Sequence, residues 1–191
     1  MLVLDWDGTC TVRDSLVAAV QDLGDAGIYE LEYASYGEAL AAEVGTLRVT
    51  AEEAAEWAVA NVELRQGFHE LVDQYAPVIV SSGLPQLILP VLEREGTEVE
   101  VRSNFAEPSP VGWRLRFRHE GLCPVCGDRC KRRSLPDRRP LVFVGDGYSD
   151  RCASLACDRV FARDSLARYL DDQAVAYEPF DSLLDVAAAL P

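Results

Sequence analysis

Two aspartates near the start of the chain have the residue type and spacing for metal-assisted chemistry. Asp5 and Asp7 lie in the segment Asp-Trp-Asp-Gly-Thr, directly after the apolar run Leu2–Leu4. Such a run is typical of a buried parallel strand, and ligands in open α/β sheets bind just beyond the carboxyl ends of the strands. A turn containing Gly8 brings both carboxylates to one rim, where they can share a cation and divide two chemical roles. Asp and Gly also form ordinary turns, so the pair is informative only together with the rest of the chain.

Further reactive groups follow later apolar runs. Ser81 follows Val78–Val80, and Asp146 and Asp150 follow Leu141–Val144. Lys131 is the exception, because it comes from a basic loop between these two runs. A series of this kind at successive strand ends predicts one shared site at the carboxyl edge of a sheet.

The elements that position these groups alternate between strand and helix. The alternation predicts an α/β fold with a Rossmann-like, doubly wound parallel sheet. Residues 13–75 contain four helical patterns and no convincing strand, which indicates a small helical cap inserted after the first strand. The predicted domains are therefore an α/β core of residues 1–12 and 76–191 and a helical cap of residues 13–75.

Composition limits the partners. The 191 residues are 49% hydrophobic and carry a formal charge of -14, which argues against binding to nucleic acid or to an anionic membrane. No apolar run approaches the roughly 18 residues of a membrane span, and the N-terminal residues do not have the pattern of a secretion signal. We therefore expect a cytoplasmic protein whose six cysteines are thiols or metal ligands.

Four segments together resemble a known family. They are Asp5–Thr9, Val78–Gly83, Lys131 and Gly145–Asp150, and in this order they resemble the four motifs of the haloacid dehalogenase superfamily of phosphohydrolases. The helical insert is similar to the cap of the subgroup that includes phosphoserine phosphatase. Within that subgroup, the region of Asn104 and Trp113, the Cys-rich lead-in to Lys131 and the segment 160–166 most resemble the methionine-salvage phosphatase.

The resemblance implies a magnesium-dependent phosphatase. It implies Mg²⁺ ligands from Asp5, Asp146 and the backbone carbonyl of Asp7, with Asp150 binding directly or through a metal-bound water. Mg²⁺ suits such a site because it takes oxygen ligands and keeps several waters. A cation is also needed physically, because a phosphate dianion repels a carboxylate nucleophile.

The resemblance also implies residue roles. Asp5 is the expected nucleophile that forms an aspartyl-phosphate, and Asp7 is the expected general acid and base. Ser81, with Ser82 and backbone amides near Gly83, is expected to hold a phosphoryl oxygen, and Lys131 to neutralise charge. An acid two residues after the nucleophile fits phosphoryl transfer rather than carbon–halogen cleavage.

A second metal site is a weaker hypothesis. Cys123, Cys126 and Cys130, with His119 upstream, have spacing that suits tetrahedral Zn²⁺, but a second Cys-x-x-Cys pair is absent. Free thiols remain the alternative. Cys152 and Cys157 are predicted to be core residues on a helix.

The substrate is predicted only as a small phosphorylated metabolite that a cap can enclose. Arg13, Tyr36 and Arg48 are the cap residues predicted to contact it. A methionine-salvage-type enol phosphate competes with a phosphoserine-like substrate, for which Glu30, Glu32 and Arg48 are candidate ligands. A catalytically silent module that binds a phosphorylated ligand or a protein is the hypothesis from another class, and the oligomeric state is not predicted.

Overall fold

The computed structural model describes residues 1–191, and a six-stranded parallel sheet forms its centre. The strand order is β3-β2-β1-β6-β7-β8, with a separate antiparallel pair β4-β5. The strands are β1 (Leu2–Leu4), β2 (Val78–Val80), β3 (Glu100–Arg102), β4 (Phe105–Glu107), β5 (Arg114–Arg116), β6 (Val142–Gly145), β7 (Arg159–Ala162) and β8 (Glu178–Pro179). The predicted Rossmann-like fold class is confirmed, and strand β1 lies between β2 and β6, near the middle of the sheet.

Both faces of the sheet are buried, which explains why the central strands are uniformly apolar. In β1, Leu2 and Leu4 pack into the larger hydrophobic cluster on one face, and Val3 packs into a smaller cluster on the other. Ile79 faces the larger cluster, while its neighbours in β2 face the smaller one. Side chains alternate along an extended strand, so each residue type here is fixed by the layer that it contacts.

Eight helices cover the sheet and its carboxyl edge. They are α1 (Ser15–Leu23), α2 (Tyr36–Gly45), α3 (Ala51–Asn61), α4 (Phe68–Tyr75), α5 (Pro85–Arg94), α6 (Arg151–Ser154), α7 (Asp164–Asp172) and α8 (Leu183–Ala189). A capping box begins α3, with Thr50 Oγ1 accepting from the Glu53 N–H at 3.1 Å and Glu53 Oε2 accepting from the Thr50 N–H at 2.8 Å. None of the helices has the length and apolar character needed to cross a membrane.

Helices α1 to α4 all fall within the segment 13–75 that the sequence predicts as a cap. They do not have a hydrophobic core of their own. Leu40 and Ala54 of this segment belong to the same buried cluster as Leu4 and Ile88 of the sheet layer. The division into core and cap therefore stays a prediction, and the packing between the two parts is continuous.

A hairpin near the carboxyl edge departs from the predicted elements. Strand β5 lies in residues 113–118, where apolar and basic residues alternate as in a solvent-facing strand, whereas its partner β4 has no such pattern. The hairpin contacts the cap through Trp113, whose indole N–H donates to the Val49 carbonyl at 2.7 Å. Strand β8 was also missed, because two residues are too few to give a periodic pattern.

Candidate active site

The predicted strand-end residues meet at the carboxyl edge of β1, β2 and β6. The carboxylate oxygens of Asp5, Asp146 and Asp150 lie within 4.8 Å of one another. Asp5 is fixed by its backbone, whose N–H donates to the Val144 carbonyl of β6 at 2.9 Å. Asp7, Ser82, Gly83 and Lys131 line one cavity with two of these aspartates. The order of strands in the sheet therefore brings together groups that are more than 140 residues apart in sequence.

Lys131 joins two of the carboxylates. Its Nζ contacts Asp5 Oδ1 directly and lies 2.8 Å from Asp150 Oδ1, and the Lys131 residue is only 4% exposed. Burial lowers the pKa of an ammonium group, but the charges of Asp150 and Asp5 together raise the pKa of Lys131. Lys131 is thus held as a buried cation. It is also the only lysine in a chain with 18 basic side chains.

The carboxylates carry more negative charge than Lys131 offsets. Burial and then the charge on Asp150 raise the pKa of Asp5, although Lys131 lowers it. The same two causes raise the pKa of Asp146 to about 6. Four aspartates face one lysine here, so a divalent cation fits the charge as well as the all-oxygen donor set. Asp5 and Asp146 are the side chains that could hold it, with Asp150 beside them.

Asp150 also organises the loop that carries Asp146. Its Oδ2 accepts from the backbone N–H groups of Asp146 and Gly147, each at 3.0 Å, and its side chain is completely buried. With Oδ1 on Lys131, both oxygens of Asp150 have partners. This arrangement favours an outer role for Asp150, in which it orients the loop and the lysine.

Asp7 has a different environment from Asp5. Its Oδ1 accepts from the Ser15 N–H at 2.9 Å and from the Ser15 hydroxyl, and burial raises the pKa of Asp7 while these bonds lower it. Its Oδ2 faces Gly83, where an added Cβ would lie 2.8 Å from that oxygen and 3.1 Å from Ser81 Oγ. The free oxygen of Asp7 therefore points toward the Ser81–Gly83 turn, in which the Gly83 N–H donates to Ser81 Oγ at 2.8 Å.

Gly8 allows the first turn to approach Asp146. Its φ is +74°, and a Cβ at this position would overlap the Asp146 carboxylate. Thr9 follows and donates its hydroxyl to Asp146 Oδ1 at 2.7 Å. The backbone of the first motif thus packs directly against the carboxylate from β6, and only glycine fits between them.

Replacing Gly8 by alanine is expected to displace Asp146 and reduce activity. Gly96→Ala is the matched control, because Gly96 also has a positive φ of +64° but no atom within 4 Å of an added Cβ. The left-handed backbone alone costs about 1 to 2 kcal/mol, which both variants lose in the free energy of unfolding. Only Gly8→Ala is expected to lose the predicted phosphatase activity as well, by roughly tenfold or more. Equal activity in the two variants would contradict this packing role.

Three residues of the site were missed by the sequence analysis. Arg65 donates from Nη2 to the Gly8 carbonyl at 2.6 Å and from Nε to the Thr9 carbonyl at 2.9 Å, so it clamps the first turn. Ser15 donates to the Asp7 carboxylate, and Thr9 donates to the Asp146 carboxylate. Arg65 and Ser15 lie in the cap segment, where no local pattern distinguishes them from surface residues.

Of the three cap residues predicted to contact substrate, only Tyr36 lines the cavity at Asp5. Tyr36 lines the cavity, and its ring lies 5.5 Å from that of Tyr148 across the cavity. Arg13 faces a different cavity beside Trp57, and Arg48 is exposed and lines neither cavity at the site. Neither arginine lines the cavity at Asp5, so their contact with substrate stays a prediction.

Glu30 and Glu32 do not reach the site either, and both are exposed. The cap segment contributes instead an apolar wall and two acids, at the start of α1 and along α1 and α2. These residues are Asp14, Leu16, Val17, Leu40 and Glu43. Burial and the charge of Asp7 raise the pKa of Glu43 to about 7.

The cysteine cluster is real but has a different fourth member. The sulfur atoms of Cys123, Cys126, Cys130 and Cys152 all lie within 4.8 Å of one another. His119 is not among them, because its Nε2 lies 2.9 Å from Ser134 Oγ. Cys152 is a buried core residue on a helix, as predicted, and the first turn of α6 also brings its sulfur into this cluster.

Solved structures with this fold include phosphatases. A phosphoserine phosphohydrolase-like protein from Francisella tularensis superposes with a TM-score of 0.70 at 17% identity, over 100% of this chain and 99% of that one. A substrate-bound phosphoserine phosphatase superposes with a TM-score of 0.71 at 14% identity, over 100% and 98%. At these identities the comparison establishes the fold. No family model matches the sequence.

Sequence relatives extend the comparison to activity. A Bacillus cereus protein named 2-hydroxy-3-keto-5-methylthiopentenyl-1-phosphate phosphatase is 23% identical, over 97% of this chain and 93% of its own length. The fold, the strand-end carboxylates and this similarity agree with the resemblance to phosphatases of the haloacid dehalogenase superfamily. Its sequence is thus similar to relatives that carry this methylthiopentenyl-phosphate phosphatase name, and its fold is similar to that of phosphoserine phosphatase.

Proposed function

We propose that the protein hydrolyses the phosphate monoester of a small metabolite through an aspartyl-phosphate on Asp5. The observation that supports this most directly is that two neighbouring carboxylates, Asp5 and Asp7, have different contacts. Asp5 is paired with Lys131, whereas Asp7 keeps one oxygen free toward the Ser81–Gly83 turn. A nucleophile must be ionised and a general acid must hold a proton. Burial and the charge of Asp150 raise the pKa of Asp5, but the Lys131 contact favours its ionised form; burial raises the pKa of Asp7, which favours its protonated form.

In the first step, an oxygen of Asp5 attacks phosphorus and the bond from phosphorus to the ester oxygen breaks. Asp7 gives its proton to the departing alcohol oxygen. Ser81, whose Oγ accepts from the Gly83 N–H, and the neighbouring backbone amides would bind a non-bridging phosphoryl oxygen, and Lys131 would offset charge on the transferring group. The product is a phosphorylated Asp5 and a neutral alcohol.

In the second step, Asp7 takes a proton from a water molecule that attacks the same phosphorus. The bond between phosphorus and Asp5 then breaks, which restores the carboxylate and releases inorganic phosphate. Mg²⁺ held by Asp5, Asp146 and the Asp7 carbonyl, with Asp150 behind them, would supply charge neutralisation between the carboxylates and the phosphate. The charge excess at Asp5 and Asp146 supports this cofactor.

For the substrate, the cavity favours a methionine-salvage-type enol phosphate. The curated relatives carry a methylthio substrate in their names. On the cap side, Leu16, Val17 and Leu40 provide an apolar wall beside the reacting aspartates that suits a thioether tail. Lys131 is the only cation that lines this cavity, so the carboxylate of phosphoserine has no dedicated basic partner there.

A phosphoserine-like substrate is the second candidate. The adjoining cavity contains Arg118, Arg129 and Arg133 and shares Tyr36 and Lys131 with the first. A substrate carboxylate that extended into it would meet positive charge. Two of these guanidinium groups already donate to backbone carbonyls, Arg129 to His119 and Arg133 to Glu120, which weakens the case.

A panel of phosphate esters tests both the chemistry and the substrate. We expect inorganic phosphate to be released from an aryl phosphate and, with the highest kcat/KM, from the methylthio enol phosphate, whereas phosphoserine is a poor substrate. Chelation of divalent cations should remove at least about 99% of turnover, and added Mg²⁺ should restore it, because the carboxylate cluster then lacks its counter-charge.

The outcomes separate the hypotheses. A higher kcat/KM for phosphoserine than for the enol phosphate would select the second candidate. No turnover of any ester with Mg²⁺ would favour the silent binding module. Full activity after chelation would refute the metal requirement.

A further inference from the structure

We propose that Cys123, Cys126, Cys130 and Cys152 bind a structural Zn²⁺ ion that fixes the loop carrying Lys131. Cys123 Sγ and Cys152 Sγ are 3.9 Å apart, and all four sulfurs lie within 4.8 Å of one another. Tetrahedral Zn²⁺ with bonds of about 2.3 Å to sulfur places its ligands roughly 3.8 Å apart, which agrees with this spacing. All six cysteines are free, and 3.9 Å is far beyond the length of a disulfide bond, about 2.05 Å.

The loop around the first two cysteines is already folded as a tight knuckle. The Gly127 N–H donates to the Cys123 carbonyl, and the Cys123 N–H donates to the Asp128 carbonyl, both at 2.9 Å. Gly127 has a φ of +73°, which favours glycine directly after Cys126. The backbone hydrogen bonds of this loop thus bring the sulfur atoms of Cys123 and Cys126 close together.

Access and burial also suit a metal site. Cys123 and Cys152 are buried, Cys130 is half-buried and Cys126 is exposed. An ion can therefore enter from the Cys126 side and end in a largely dry environment. Binding converts the thiols to thiolates and releases their protons to solvent.

The surroundings complement the charge that the site would carry. Four thiolates and one Zn²⁺ have a net charge of about -2. Arg132 Nη1 donates to the Cys152 carbonyl at 3.2 Å, and Arg151 lines the same cavity as Cys126, Cys130 and Cys152. Arg151 Nε is buried and has no hydrogen-bond acceptor. Arg132 and Arg151 thus place positive charge beside the cysteines, although the chain as a whole has a net charge of -14.

The zinc site would connect the two segments that carry Lys131 and Asp150. Cys130 directly precedes Lys131, and Cys152 lies two residues after Asp150. Lys131 and Asp150 form an ion pair of 2.8 Å. A metal bonded to both cysteines would hold the two backbones on either side of that pair. Zn²⁺ therefore has a positioning role, which in this respect rests on the proposed function of Lys131.

The same loop also contacts the predicted cap. Asp128 accepts from the N–H groups of Tyr36 at 2.9 Å and Gly37 at 3.3 Å, at the first turn of α2. A carboxylate is favoured at a helix N-terminus. Ordering of the cysteine loop by a metal would thus also order the entrance beside Tyr36.

The test measures metal content and spectrum without any turnover, so it is independent of phosphatase activity. Protein purified from zinc-containing medium without chelator is expected to contain about one equivalent of zinc by mass spectrometry. Replacement by Co²⁺ should give thiolate-to-cobalt charge-transfer absorption and the intense visible bands of a tetrahedral site. Removal of zinc should lower the unfolding temperature by several degrees, on the order expected when a folded-state ligand is lost.

Three variants locate the metal. The double variant Cys126→Ser/Cys130→Ser should lose at least about 90% of the zinc, because two of four ligands are gone. Cys157→Ser is the matched control, since Cys157 is a neighbouring thiol outside the cluster, and it should keep the full amount. Asp146→Asn should also keep it, which excludes zinc at the carboxylates.

Two results would overturn the proposal. One is wild-type protein that contains no zinc and shows no charge-transfer band with Co²⁺. The other is zinc that persists in the double cysteine variant but disappears in Asp146→Asn. Because the wild-type Co²⁺ spectrum needs no substitution, misfolding of the double variant would leave the proposal testable.

Discussion

Asp5→Asn is expected to abolish turnover, with a loss of more than about 10⁴-fold in kcat for every phosphate ester. Asparagine has nearly the same shape, but its amide cannot form the aspartyl-phosphate and is a weaker ligand for a cation. The fold should survive, because burial and Asp150 already disfavour the charge that is removed. Steady-state kinetics and the unfolding temperature measure both effects.

Asp73→Asn is the matched control, since Asp73 is exposed on α4. It should have wild-type kinetics. Asp7→Asn provides the complementary result. With an aryl phosphate, whose leaving group needs little protonation, the first step should continue while hydrolysis of the phosphorylated Asp5 slows. Intact-mass measurement should then detect a phosphorylated chain, which Asp5→Asn never forms. Substantial turnover by Asp5→Asn would contradict its role as nucleophile.

Lys131→Met is expected to reduce both activity and stability. The variant leaves Asp5 and Asp150 buried without their cation, and loss of one partner from a buried ion pair typically costs about 3 to 5 kcal/mol. We expect kcat/KM to fall by roughly 10² to 10³-fold, as for removal of one charge-stabilising donor. Denaturant unfolding in metal-free buffer and kinetics with saturating Mg²⁺ separate the two effects.

Two further variants distinguish charge from shape. Arg138→Met removes an exposed positive charge from the same loop and should change neither quantity. Lys131→Arg keeps the charge but replaces a compact ammonium by a planar guanidinium in a buried position. We expect it to remain poorly active. Wild-type kcat/KM in Lys131→Arg would mean that charge alone suffices there.

The catalytic edge could be predicted from sequence because each group is tied to a local signal. Asp5, Ser81 and Asp146 follow apolar runs, and the carboxyl ends of parallel strands meet by the geometry of the sheet. Lys131 lies outside this pattern. The sequence nevertheless contains a signal for Lys131, because it is the only lysine among 18 basic residues. Where a chain otherwise uses arginine, one buried ammonium indicates a position with a strict size limit.

The cap and the cysteine cluster depend on tertiary contacts that no local pattern contains. Arg48 and Glu43 both lie in the cap, yet only the carboxylate faces the cavity, because the orientation of α2 is set by its contacts with the hairpin and the cysteine loop. Cys152 joins three cysteines that end 22 residues earlier in sequence. The distance in sequence from Cys130 to Cys152 does not match a zinc-binding repeat. The sequence analysis therefore chose His119, which is closer in sequence but is not in the cluster.

The single lysine also gives the protein a built-in reporter of local opening. An endoprotease specific for lysine has one target bond in this chain, between Lys131 and Arg132. The Lys131 side chain is inaccessible while it is held between Asp5 and Asp150, so cleavage requires the ion pair to separate and the loop to open. The rate at which the chain is cut into two fragments therefore measures how often the Lys131 loop opens away from Asp5 and Asp150. The measurement needs no label on the protein.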